Sequence, residues 1–569
     1  MAKKQPKIDI TEVHTVARLL SRDTRRRLGL TVPARIYVQD PLVAARNPKL
    51  GLEEIELDWE PGMADGPTSA RVVVVDVDEE SGQRTEPARW EPQKRRFVGA
   101  DDPHSWQFHQ VNAWAIVQNT LAFFEDAHIL GRPIPWGFDG NRITVVPHAG
   151  RRQHACYDRN LKSLRFYYCG DADNPVYTCL SHDIVAHETG HAILDGIRPL
   201  YAEISSPQTM AMHEFVADIT AILSALRNNT VRNVIAEVSG GDLTHENTVA
   251  DLAEEFGHSV VRQAHGEANR FYLRTANNPL TMVDIEGKWE SHYCSQVLTG
   301  AMFEVLARMT QLHLGQGESA SEALWHATDR ITRIALRPLD YCPPADVQFI
   351  DYARAVLRAD ALAYPDDNFG YREIIRDVFR QRGFGDVRAE NAPYVAQFQR
   401  YDVDDLSRSR TTAYHFLHEN RQVLGIPLEQ DVVVVDLYET DKKALAERRL
   451  PREIVLLYLW REEIPLQEAR FKHLRGEKAM LLCGGTLVFD GRGNVLSLMR
   501  KPGLAYQPDR EEGERRREML LDTIATLAQA GWVSLAGEKE IAGAPVIGWR
   551  TREGLRLEAS PSALHRERR

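Results

Sequence analysis

His187-Glu188-Thr189-Gly190-His191 lies inside an apolar-periodic stretch running from Leu180 to Ile197, and its reading decides the fold. Residues four apart on a helix share a face, so His187 and His191 can turn imidazole nitrogens toward one metal ion while Glu188 flanks the same pocket. That suits metal-assisted hydrolysis: zinc held by three protein groups keeps a fourth position for water, lowers its pKa to about 7, and leaves a nearby carboxylate to take the proton. Ile184, Val185, Leu194 and Ile197 supply the buried side of this helix. Gly190 within it costs about 1 kcal/mol relative to alanine, which points to close approach by a neighbouring element or a substrate. Three fixed residues in five recur by chance in large proteins, so support must come from elsewhere in the chain.

A zinc ion held by two histidines needs a third protein ligand. A second helix, Met210 to Leu226, begins 19 residues after His191 and carries Glu214 and Asp218 four apart on one side. Glu214 completes a His2Glu set, and Asp218 can accept from the distal nitrogen of a ligand histidine and fix its tautomer. Taken alone, the pair also reads as ordinary polar residues of a helix.

The remaining composition narrows the class. With 569 residues, 43% hydrophobic and 27% charged, the chain is an ordinary soluble globular sequence of two or three domains. Its net charge of -11 gives no reason to propose a nucleic acid partner, and Arg22, Arg25, Arg26 and Arg27 read as a solvated helix face. The six cysteines lack CxxC pairs and disulfide-scaffold density, so they read as reduced thiols. No signal peptide is expected in Met1 to Leu30 and no membrane span later, which makes the cytoplasm the expected location.

Periodicity sets the organisation. Residues 1–100 form a β-rich region with strands near Ile36 to Val38 and Arg71 to Val77, leading into a first lobe over 101–200. That lobe has a long helix from His109 to Glu125 and strands at Ile143 to Val146 and Leu164 to Tyr168. A helical lobe spans 201–388, with further helices at Val297 to Met309, Ala320 to Ile334, Val347 to Ala361 and Tyr371 to Arg380. Residues 389–569 read as a separate α+β domain, with strands at Val432 to Leu437 and Glu453 to Trp460 and a hairpin turning at Asp490 to Asn494.

HExxH followed by a helix bearing ExxxD resembles the thermolysin family of gluzincin zinc metallopeptidases. The metzincin pattern fails, because Leu194 and Ile197 stand where glycine and histidine would be needed. The resemblance covers about residues 100–386. It implies an α+β, two-lobed metallopeptidase, with a β-rich lobe, a mainly helical lobe and zinc in the cleft, to which the α+β C-terminal domain is an addition. It further implies that His187, His191 and Glu214 bind zinc, that Glu188 is the general base, and that Asp218 orients His187.

Several other assignments follow from the family pattern alone. His292, in Ser291-His292-Tyr293-Cys294-Ser295, matches its downstream histidine, and Tyr201, ten residues after His191, its tyrosine; both would stabilise the oxyanion. Arg274 in Leu273-Arg274 would hold a substrate carbonyl, while Ile184 and Leu273 fall at primed-side pocket positions. His154-Ala155-Cys156-Tyr157 stands for the edge strand that pairs with extended substrate, with His154, Ala155 and Tyr157 as binding residues. The chain departs from the pattern in a longer spacing from His191 to Glu214, in His213 before the glutamate, and in an edge strand without asparagine or tryptophan. Asp183 matches a calcium ligand, but Ala225 replaces the expected glutamate, so a calcium site is incomplete.

The expected function is a zinc endopeptidase acting on a peptide or protein substrate, including the case of a selective enzyme that processes one partner protein; the alternative is a catalytically silent zinc-containing scaffold. Residues 389–569 are expected to bind a partner or to restrain the site, so a chain ending near Gly385 would cleave faster than the full chain.

Overall fold

The computed structural model describes residues 28–171, 174–244, 251–252, 274–388, 398, 401–444, 448–505, 509–537 and 546–559. Arg22, Arg25, Arg26, Arg27 and Leu273 lie outside them. The chain is α+β. It opens on an antiparallel ribbon of β1 (Thr31–Tyr37) and β2 (Leu52–Asp58). A four-stranded sheet follows, built from β3 (Val72–Val74), β6 (Ile143–Val146), β8 (Ser163–Phe166) and β7 (Ala155–Asp158) in that spatial order. β3, β6 and β8 run parallel, and β7 lies antiparallel to β8 at the edge. Two small hairpins flank the sheet, β4 (Arg89–Glu91) with β5 (Arg96–Val98), and β9 (Tyr168–Asp171) with β10 (Asn174–Tyr177).

Helix α1 (Trp106–Glu125) is capped by Ser105, whose hydroxyl accepts from the Phe108 N–H at 3.1 Å, and packs against β1, β3 and α2 (His182–Ile197). α2 lies between this sheet layer and α3 (Pro207–Arg227). An alanine Cβ at position 190 would stand 3.0 Å from both the Ala217 Cα and the Thr220 Oγ1, so the glycine is what lets α2 and α3 close together. α3 was not expected to resemble a membrane span, yet it is long and apolar enough to be one. Its 94% burial marks it as a core helix wrapped by protein on all sides.

α4 (Asn229–Ser239), a two-residue ribbon of β11 (Asp251–Leu252) and β12 (Arg274–Thr275), α5 (Ser291–Gly315), α6 (Ala320–Leu336), α7 (Phe349–Ala363) and α8 (Tyr371–Gln381) follow. α5 packs on α3, and α6 on α5. A reciprocal cap between Ser319 and Glu322 starts α6.

The C-terminal region holds α9 (Arg410–Glu419), β13 (Val433–Thr440), β14 (Glu453–Pro465), β15 (Lys478–Asp490), β16 (Val495–Lys501), α10 (Arg510–Gln529), β17 (Val533–Leu535), β18 (Val546–Arg550) and β19 (Leu555–Ala559). These strands form a seven-stranded sheet in the order β13-β14-β15-β19-β18-β17, with β16 also paired to β15. β14 reads Glu-Ile-Val-Leu-Leu-Tyr-Leu-Trp without alternation because both its faces are covered. Val455, Leu457, Val488 and Met499 join the core of the preceding helices, while Ile454, Leu456, Tyr458 and Trp460 join a second core with α10.

Buried ion pairs cross the same junction. Lys442 Nζ lies 2.8 Å from Asp340 and 3.0 Å from Glu453, Arg516 Nε 2.7 Å from Asp346, and Lys501 Nζ 2.5 Å from Asp351. Arg132 reaches Asp340 from the other side at 2.9 Å. The C-terminal sheet is therefore joined to the helices by a shared apolar core and by charges that neither side could bury alone.

Candidate metal centre

α2 carries His187, Glu188 and His191 into the interior, and the close α2–α3 contact at Gly190 sets Glu214 opposite them. His187 Nε2 and His191 Nε2 are 3.2 Å apart, and the nearer Glu214 oxygen is 3.6 and 3.8 Å from them. Zinc bonds of about 2.0–2.1 Å at tetrahedral angles set ligand atoms about 3.3 Å apart, so the three converge on a space of the right size. Glu214 is fully enclosed, and neither of its carboxylate oxygens finds a hydrogen bond among the described residues. A buried anion without donors is costly, and a cation among these three groups removes that cost. The residues fit zinc.

Asp218 Oδ1 lies 3.1 Å from His187 Nδ1, which holds that nitrogen protonated and leaves Nε2 to ligate. Glu188 is buried beside the ligands, and its Oε2 accepts from the Tyr157 N–H at 2.9 Å. Burial pushes the Glu188 carboxyl up to about 7; His187 pulls it down, Glu214 adds to the rise, and the Tyr157 N–H and His292 oppose it. A carboxyl poised near neutrality suits proton transfer in both directions.

The register of β7 explains the Tyr157 contact. Tyr167 N–H donates to the His154 carbonyl toward β8, so the main chains of Ala155 and Tyr157 face the outer edge. Three side-chain bonds pin this edge to α2. The Tyr157 hydroxyl donates to Asp195 at 2.7 Å, Arg159 Nε does so at 2.7 Å, and Arg159 Nη2 bonds both the other Asp195 oxygen and the Pro199 carbonyl. The sequence reading missed Arg159 and Asp195, although Asp195 sits four residues after His191 on the same helix face.

His292 opens α5 with Nε2 3.2 Å from Glu214, while its Nδ1 lies 2.7 Å from Glu290 Oε1. Glu290, also missed, caps α5 by accepting from the His292 and Tyr293 N–H groups. Burial alone would raise its carboxyl, but the hydrogen bond and charge of His292 and the two N–H groups outweigh that and hold it below the usual glutamate range. The signal was an acidic residue immediately before a helix start.

Tyr201 is buried in the short turn from Pro199 to Ala202, and its hydroxyl donates to the Pro343 carbonyl at 2.8 Å. Ile184 is half-buried against the main core, and the His154 ring lies against Tyr167 at 5.4 Å. Arg274 pairs with Leu252 in the β11–β12 ribbon. His213 is buried with its ring 5.7 Å from that of His191; burial, then the charge of Arg159, pushes it down to about 4 against the pull of Glu214. Asp183 accepts from Ser181 and from the Ile184 N–H at the start of α2, and Ala225 is buried. Among the described residues no ligand group forms around Asp183.

No family model matches the chain, and no curated protein is similar to it at a significant level. Among solved structures, the precursor of protealysin, a metalloproteinase from Serratia proteamaculans, is similar with a TM-score of 0.35 and 17% identity, over 56% of this chain and 89% of that one. A likeness this slight fixes neither the fold nor the activity.

Proposed function

We propose that this chain is a zinc-dependent endopeptidase of thermolysin type. The observation that carries the reading is the enclosed His187, His191 and Glu214 set, with Glu188 beside it held by the edge-strand N–H of Tyr157. Zinc, when bound there, supplies Lewis acidity and lowers the pKa of water to about 7. Glu188 takes the proton of the attacking water and returns it to the leaving amine, and burial places its affinity for that proton near neutral pH. His292, steadied by Glu290, directs Nε2 toward the ligand cluster and donates to the developing oxyanion. The outward main chain of Ala155 offers the next free edge position for an extended peptide, which is recognised by backbone pairing.

The second reading is a zinc-holding scaffold without turnover, and the diversion of Tyr201 to Pro343 favours it. One experiment separates the two. Zinc-loaded wild type and Glu188→Gln are incubated with a proteome-derived peptide library, and new termini and bound zinc are measured. The endopeptidase reading expects equal zinc and a loss of cleavage by about 10²–10⁴-fold in the variant. Unchanged cleavage by Glu188→Gln would sink the mechanism, and zinc-loaded wild type that cleaves neither the library nor an extract of intact proteins would count for the scaffold.

A further inference from the structure

A second group of metal-binding side chains is buried at the far end of α2, independent of the reading above. His109 of α1, His148 after β6 and Cys179 before α2 bring ligand atoms within 4.8 Å of one another, and all three are enclosed. The outer nitrogen of each imidazole is already held. His148 Nδ1 lies 2.9 and 3.0 Å from the two Asp76 oxygens, and His109 Nε2 3.1 Å from the Pro103 carbonyl. Asp76 is fixed in turn by Gln110 Nε2 at 2.9 Å. Metal-ligating histidines have this surrounding: the outer N–H goes to a carboxylate or a main-chain carbonyl, and the inner nitrogen is aimed at the metal.

We propose that His109 Nδ1, His148 Nε2 and Cys179 Sγ form a structural zinc site. The two inner nitrogens face each other at 2.8 Å, a distance at which they share a proton when no metal is bound. A shared tetrahedral zinc sets such nitrogens about 3.3 Å apart, so loading requires the rings to separate by about half an ångström. For comparison, the inner nitrogens of His187 and His191 stand at 3.2 Å.

Loading replaces the hydrogen between the two inner nitrogens and the thiol hydrogen of Cys179 with the metal. Two neutral imidazoles and a thiolate are a donor set suited to zinc. The Trp106 ring, 4.1 Å from that of His148 and 40% exposed, stands between the cluster and solvent and marks the way in.

The test uses the full chain, stripped with a chelator, reloaded with excess zinc sulfate, desalted and assayed for zinc per chain. Wild type is expected to hold two equivalents, the His187→Ala/His191→Ala double variant one, and Cys179→Ser one. Cobalt(II) in the double variant should show a near-ultraviolet thiolate-to-cobalt absorption that disappears when Cys179→Ser is added. If the double variant fails to fold, wild type against Cys179→Ser decides alone. Wild type holding a single equivalent that Cys179→Ser retains overturns the proposal. So does a second equivalent that survives both Cys179→Ser and His148→Gln, which would place it elsewhere, for instance at His313, Glu318 and His326.

Discussion

Lys442 is the place to test whether the C-terminal sheet belongs to the same folding unit as the metal centre. Its ammonium is 2% exposed and lies 2.8 Å from Asp340 on one side of the junction and 3.0 Å from Glu453 on the other. Lys442→Met keeps the volume of the stem and removes the charge. Glu453 then keeps the hydroxyls of Tyr341 and Thr440, and Asp340 keeps Arg132, the Tyr438 hydroxyl and the charge of Arg198. Breaking one member of a buried charge cluster costs about 3–5 kcal/mol, so the ratio of folded to unfolded chain should fall by about 10²–10⁴-fold. The assay is urea unfolding followed in parallel by tryptophan fluorescence and by zinc release to a chromophoric chelator. Because one apolar core runs from α2 and α3 to Val455 and Val488, both signals should shift together. The sign with pH is also set. Burial would raise the Asp340 carboxyl, but Lys442 and Arg132 outweigh it and hold it well below the usual range. The stabilisation is therefore complete above the ordinary aspartate pKa and is lost as the pH falls below it. A fragment ending at residue 388 loses Lys442 from Asp340, Arg516 from Asp346 and Lys501 from Asp351 together and should not yield a folded, zinc-loaded enzyme. The reasoning is refuted if Lys442→Met unfolds within about 1 kcal/mol of wild type, or if that fragment folds and cleaves at least as fast as the full chain.

Tyr201→Phe removes one buried hydrogen bond to Pro343, so it should cost about 1 kcal/mol of stability and leave kcat/KM within about twofold; a much larger fall in kcat would return Tyr201 to the site. Asp218→Asn should weaken zinc binding by about 10–100-fold in a competitive chelator titration, and unchanged affinity would remove its orienting role. His182 is buried with no partner at Nδ1 among the described residues, and burial pushes it down to about 4, so the folded state takes up its proton at lower pH than the unfolded state does. Its effect is a loss of stability as the pH falls from about 6.5 to 4, and His182→Leu should relieve it by up to about 3 kcal/mol in acid-side unfolding curves; parallel curves would refute this.

The long elements were legible because their periodicity reflects a single buried side or complete burial. α1, α2, α3 and the β15–β16 hairpin fall where the apolar spacing and the Asp490 to Asn494 turn put them. The place of the C-terminal sheet was not legible, and the reason is physical. A strand buried on both faces shows a continuous apolar run, as β14 does, and such a run cannot say what covers each face. Nor could the sequence pair Lys442 with Asp340 or Arg516 with Asp346, because those contacts depend on tertiary placement. These charges join the two halves of the chain.

At the candidate site, helix geometry accounts for what could be read. His187 and His191 share a face at a spacing of four, and Glu214 and Asp218 repeat that spacing on the helix that Gly190 admits. The hydrogen bond of Tyr201 was not legible, because a position in a pattern does not fix a rotamer, and in a turn of four residues the hydroxyl turns to the carbonyl of Pro343. Glu290 and Arg159 escaped notice because each acts through a partner. Glu290 holds the imidazole of His292, and Arg159 bonds Asp195, which also holds the hydroxyl of Tyr157, the residue whose N–H reaches Glu188. The proposed general base is thus positioned from the edge strand as well as from its own helix. A change at Asp195 should accordingly alter the pH dependence of cleavage through Glu188 while leaving the three zinc ligands in place.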